Sequence, residues 1–223
     1  MTQYPEGIPV IPAVHLQLEN TSELYGDKLV ALDGDIGHIR DFYFDDNTWV
    51  IRYAVAHTGS WLTGSLVLLS PHALGKLDRH GKMLHIDLRR MQIQNSPSIE
   101  SHQPIFRQYE ADYYRDHDWP AYWDVLGWEG GSSKEPSQGS VLEQDKHLRS
   151  TLVVTGYRIQ AVDGLVGHVT GFLVDDRSWA IHQLVVEAGH WYSGKEVRIA
   201  ANKVDRISYR ESKVYVNLAK ADI

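Results

Sequence analysis

Apolar and polar residues alternate in short runs along two stretches of this chain, and a period of two over so few residues predicts half-buried β-strands. Residues 28–32 form the first run, closed by Asp33-Gly34, where glycine supplies the positive φ of a tight turn. The second strand spans residues 36–44. Its apolar residues Ile36, Ile39, Phe42 and Phe44 change parity between 39 and 42, which predicts a bulge near Asp41. A turn over residues 45–48 feeds a third strand, 49–57, with Trp49, Ile51, Tyr53 and Val55 expected on one face. Residues 65–70 give a fourth strand. After Pro71 a short turn or helical segment leads to a fifth, residues 83–88. Short antiparallel strands joined by tight turns predict a small closed or nearly closed barrel.

The whole pattern then returns. Residues 163–200 align with 33–70 at a constant offset of 130 and without a gap, and the Asp-Gly turn, His38/His168, Phe42/Phe172, Asp45-Asp46/Asp175-Asp176, Trp49/Trp179, Trp61/Trp191 and Val67/Val197 are identical. Gly171 stands where the first copy has Asp41, and residues 213–218 echo the fifth strand. The fold expected is mainly β: two small antiparallel β-barrels related by internal duplication. The division is an extended lead-in over 1–23, repeat 1 over 24–95, a connector over 96–145 and repeat 2 over 146–223. Units of roughly 80 residues lie near the lower limit for independent folding, so the copies are expected to bury surface together. Trp49 and Trp179 are the expected core anchors.

Charge changes the picture mainly in the connector. The chain carries a formal −7, and residues 96–145 hold ten acidic against three basic side chains, whereas repeat 2 is mildly basic. No basic stripe is present, which argues against nucleic acid as a partner. Pro104 is a candidate first helical residue, and Phe106, Tyr109 and Tyr113 then fall on one face of a short helix near 104–117. Trp119, Tyr122, Trp123 and Trp128 follow, an aromatic density expected to be buried either in the groove between the repeats or in a homo-oligomer contact. The chain has no cysteine, so disulfides and thiolate chemistry are excluded. No apolar run is long enough to span a bilayer and no export signal is visible, so membrane insertion is not expected and the compartment expected is the cytoplasm.

The motif D-G-x-[IV]-G-H-[IV]-x-x-F-x-x-D-D, followed by a strand opening on tryptophan and a Gly-x-Trp-x-x-Gly turn, resembles the PRC-barrel family. Residues 24–92 and 150–220 carry the resemblance twice. The module occurs in the cytoplasmic part of the photosynthetic reaction-centre H subunit and in the C-terminal domain of the ribosome maturation factor RimM. The resemblance implies a five- or six-stranded barrel that works as a docking module with a protein partner, without catalytic residues or a cofactor. By analogy with RimM it also implies a ribosome-associated reading.

Other constellations fit simpler roles. Gly189 to Glu196 has P-loop spacing, but Glu196 stands where a Ser or Thr must hold Mg²⁺, and the loop is expected to join two strands. His38 and His168 have no second histidine at ligand spacing on their own strands, so a metal site is not expected; rim histidines bonded to backbone are. The paired aspartates at 45–46 and 175–176 are expected to cap turns. Trp61 and Trp191 either fold back onto the barrels or stand out as anchors for a partner. The candidate interaction residues are therefore Trp61, Trp191, His38 and His168, in a noncatalytic interaction or assembly module. The alternative is a small-molecule binder or enzyme using a cleft between the repeats, with His38 or His168 among its polar groups.

Overall fold

A computed structural model of the chain describes residues 17–62, 64–96, 147–189 and 194–223, so the expected helix near 104–117 and the connector's aromatic residues lie outside the described residues. Strand β1 (Leu18–Asn20) and the helical turn α1 (Thr21–Leu24) precede β2 (Lys28–Ala31), β3 (Gly34–Asp45), β4 (Val50–His57), β5 (Leu66–Leu69), β6 (Leu74–Asp78), β7 (Met83–Ile86) and the short helix α2 (Arg90–Gln94). The second half repeats the order as β8 (Leu148–Ser150), α3 (Thr151–Val154), β9 (Arg158–Ala161), β10 (Gly164–Asp175), β11 (Ile181–Ala188), β12 (Lys195–Ala200), β13 (Val204–Ser208) and β14 (Lys213–Val216). These elements build two seven-stranded sheets, β5-β4-β3-β2-β7-β6 and β12-β11-β10-β9-β14-β13, each with one further strand attached.

Local chemistry explains much of each sheet. Gly34 and Gly164 take a φ of 136° in the Asp-Gly turns, a conformation that other residues adopt only with strain. The bulge expected near Asp41 is present: the register of β3 against β4 slips between Ile39 and Asp41, and that of β10 against β11 between Val169 and Gly171. Asp45 Oδ1 accepts from the N–H groups of Asn47 and Thr48, and an Asp175 carboxylate oxygen accepts from Ser178 N–H, so both aspartates hold turns as expected.

Three expectations need correction. The sheets are not wholly antiparallel, because β7 runs parallel to β2 and β14 parallel to β9. Nor are they closed barrels: among the described residues no ladder joins β5 to β6 or β12 to β13. Both sheets turn away at the same place, through a short helical corner after β5 at Pro71–Ala73, where the Ser70 side chain accepts from His72 N–H, and after β12 at Ala201–Lys203. Finally, the third strand does not present one apolar face. Trp49 belongs to the preceding turn, and a second register slip around Arg52 puts Ile51, Ala54 and Ala56 in the main core but Tyr53 and Val55 against Leu68 on the other face.

Residues 18–24, the end of the expected lead-in, are the least anticipated part. β1 pairs not with its own sheet but with β10 of the second, through Leu18–Asp175, Glu19–Val174 and Asn20–Leu173. Reciprocally, β8 pairs with β3 of the first sheet through Tyr43–Ser150, Phe44–Arg149 and Asp45–Leu148. Each half thus lends an arm to the other. The turns before β4 and β11 also cross: Ile51 N–H donates to Trp179 O at 2.9 Å and Ile181 N–H to Trp49 O at 2.7 Å. Trp179 stacks on Phe42 at 5.7 Å, Phe44 meets Phe172 at 5.4 Å, and one buried cluster runs through both sheets.

Candidate functional site

The two arms meet their host sheets through different chemistry. On the first sheet, Asp41 sits buried at the bulge of β3 and accepts hydrogen bonds from Ser150 Oγ at 2.5 Å, Phe42 N–H at 2.7 Å, and Thr151 Oγ1 and Leu152 N–H at 3.0 Å. Burial raises its pKa above the ordinary aspartate value, with these hydrogen bonds pulling the other way. Tyr25 O–H donates to Thr151 Oγ1 at 2.8 Å, and burial pushes its phenol up to about 12. On the second sheet the bulge carries Gly171, and Asn20 from the other arm occupies the space that a Cβ would need. Asn20 Oδ1 instead caps α1, accepting from Ser22 N–H at 3.1 Å.

Beside the seam lies a cleft of about 740 Å³ lined by charged side chains from both halves, among them Glu19, Asp27, Arg79, Lys82, Glu196 and Arg198. The carboxylates and cations are largely matched within it. Arg79 pairs with Glu19, Arg198 lies 3.6 Å from Glu196, and Lys82 offsets the upward push of burial on Asp27.

A second cleft, of about 930 Å³, has the opposite character. It is lined by His38, Arg40, His57, Tyr25, Gly26, Ile39, Gly64, Leu66 and Leu152, with no acidic residue among them. His38 stands between Lys28 of β2 and His57 of β4 in the sheet. His57 is missed by reading one strand at a time, because the pairing is across strands, and only the hairpin register set by the turn and bulge puts it opposite His38. His168, at the corresponding place of the second sheet, faces Glu187 instead, its Nε2 3.7 Å from Oε2. Both sequence-selected histidines are exposed, and neither lies with the other in a common cleft. Among the described residues no three His, Asp or Glu side chains gather as a metal site would require.

Trp61 is turned onto the sheet. Its indole N–H donates to Ile36 O at 2.6 Å, and the Arg90 guanidinium lies 5.6 Å above the ring. Trp191 lies outside the described residues. The P-loop-like segment runs from the end of β11 to the start of β12, and no helix follows it. Exposed apolar side chains cluster instead beside the two Asp-Gly turns: Leu32 is 67% and Val162 71% exposed at matching positions, with Met91 74% and Leu165 46% exposed on the same two halves.

A mainly β protein of two similar sheets, joined by exchanged arms and flanked by one charge-matched and one cationic cleft, is the class that these features define. No protein-family model matches the chain, and no curated protein matches it either. Among the described residues no helix is long and apolar enough to cross a membrane.

Proposed function

We propose that the chain is a noncatalytic docking module made of two PRC-type units derived by internal duplication, and that it works by holding a protein partner or assembling a complex. The observation that supports this most is the pair of exposed apolar tips, Leu32 with Met91 and Val162 with Leu165, set on a core that both halves share. A shared core with an exposed apolar group on each half, Leu32 and Val162 at matching positions, offers two anchor points. Exposed apolar side chains next to structured turns are what partner recognition uses. Trp61, folded against the first sheet beside Arg90, would support such a surface from below.

Affinity capture from the native host, using the wild-type chain and two variants, tests the reading. Leu32→Glu with Met91→Glu, and Val162→Glu with Leu165→Glu, leave the core untouched. Proteins captured by the wild type and lost with either variant support docking through the tips. Retention of the same set by both variants overturns it. A second reading, binding of a small molecule, is favoured by the cationic cleft that contains His38.

A further inference from the structure

The cleft around His38 differs from the rest of the molecule in sign. The chain as a whole carries −7, yet the ionisable groups lining this cleft are Arg40, His38, His57 and the neutral Tyr25. Arg40 is the bulged residue of β3, exposed, and makes no ion pair with a described residue. The nearest competing charges are already engaged. Lys28, beside His38 on β2, is paired with Asp35 at 2.6 Å, and the Asp41 carboxylate accepts from Ser150, Thr151 and Leu152 of the incoming arm. From β4 the cleft receives His57, and from the loop before β5 it receives Gly64, where a Cβ would lie 3.8 Å from His57 Nε2. That is an ordinary contact distance, and Gly64 is required instead by its φ of 71°.

The sister sheet shows that this is not a by-product of the fold. There the counterparts of Arg40, His57 and Leu66 are Thr170, Glu187 and Glu196, so His168 meets a carboxylate and the same region is acidic rather than cationic. The two sheets thus differ in sign at this place. A guanidinium with imidazoles beside it and no acid among them leaves donors open to an anion.

We propose that the cleft between the β3–β4–β5 face and the turns at Gly26 and Leu152 binds a small oxyanion, a phosphate or a carboxylate, through Arg40, His38 and His57. Arg40 supplies a planar fork that matches either group. His38 and His57 add ring N–H donors beside it. Ile39, Leu66 and Leu152 give the cleft an apolar wall, which suits an anionic group carried on a short apolar body. The proposal goes beyond docking by the apolar tips and can fail separately from it.

Calorimetric titration of the full chain with inorganic phosphate and, separately, with succinate tests it. The expected result is saturable binding of at least one probe, weakened about tenfold or more by Arg40→Ala. His57→Glu, which copies the sister sheet, should remove it, while His168→Ala should not. Binding of phosphate alone or of succinate alone assigns the anion class, and either supports the site. The proposal is overturned by no saturable binding of either probe, or by unchanged binding in Arg40→Ala. Because Arg40 is exposed at a bulge, that variant tests the site even if His57→Glu fails to fold.

Discussion

Replacing Asp41 with alanine should loosen the joint between the halves, and the size of the effect follows from what is left behind. Four donors lose their acceptor, but not all become orphans. Phe42 N–H still reaches Thr151 Oγ1 at 3.3 Å, and Thr151 Oγ1 can donate to Phe42 O at 3.1 Å. The Ser150 hydroxyl proton and Leu152 N–H are left without their carboxylate. Two hydrogen bonds to a charged group are worth roughly 1.5–3 kcal/mol each, less the cost of keeping that charge out of water, so a net loss of about 2–4 kcal/mol is expected. In a chain of this length that lowers the melting temperature by about 5–15 °C. Urea unfolding followed by far-UV circular dichroism measures it. The pH dependence gives a sharper check. Because burial raises the pKa of Asp41 in the folded state, the folded protein takes up this proton first on acidification. The added stability from that proton uptake is then fully present below the unfolded value near 3.8 and is lost as the pH rises through the folded value, leaving only what the hydrogen bonds to the ionised group contribute. The penalty of Asp41→Ala should therefore be larger near pH 4.5 than near pH 7.5. A penalty under about 1 kcal/mol, or one that shrinks on acidification, would refute the reasoning.

The second joint should respond to bulk rather than to charge. Gly171→Ala puts a Cβ into Asn20 Oδ1 and should cost roughly 1–3 kcal/mol, and adding Asn20→Ser should recover part of that, as a double-mutant cycle in urea would show. Trp179→Ala removes a ring that is 2% exposed and should cost about 3–5 kcal/mol, whereas half-buried Trp49 should cost less on the same change; equal losses in thermal unfolding would contradict this ordering. Gly37 has a φ of 134°, and a Cβ there would run into the His57 carbonyl, so Gly37→Ala should lower soluble yield and melting temperature more than Gly26→Ala, where space is open.

The strands, turns and bulges were legible because each is a local decision. An Asp-Gly pair fixes a turn, and a parity change between Ile39 and Phe42 fixes a bulge, whatever lies across the molecule. The second slip, at Arg52, was not legible. Trp49, Ile51, Tyr53 and Val55 alternate without fault, and only the pairing of Phe44 with Ile51 but Tyr43 with Tyr53 exposes the extra residue. The parallel strand was hidden for another reason: an alternating run of four residues does not say which neighbour it joins, and both sheets make that choice through the chain between β5 and β7 or β12 and β14. Of the candidate site, His38 could be picked out by repetition but His57 could not, since in the second copy its place is held by glutamate. Repetition finds what two copies share, and the cationic cleft is what they do not share.

The exchange of arms has a direction, and charge explains it. The arm that lies on the first sheet brings His147 and Arg149 to Asp46, at 2.8 and 2.6 Å, and Arg149 also lies 4.9 Å above the Tyr209 ring of its own half. The other arm carries Gln17 and Glu19 at the corresponding positions. On the first sheet, Glu19 would face Asp46 and Asn20 would compete with the Asp41 carboxylate for space; on the second, Glu19 finds Arg79 and Asn20 fills the room left by Gly171. Like charges at close range cost energy and so does a crowded bulge, so the arms are not interchangeable. Two copies of the first half would therefore make a poor dimer. The difference between the halves is what makes them fit.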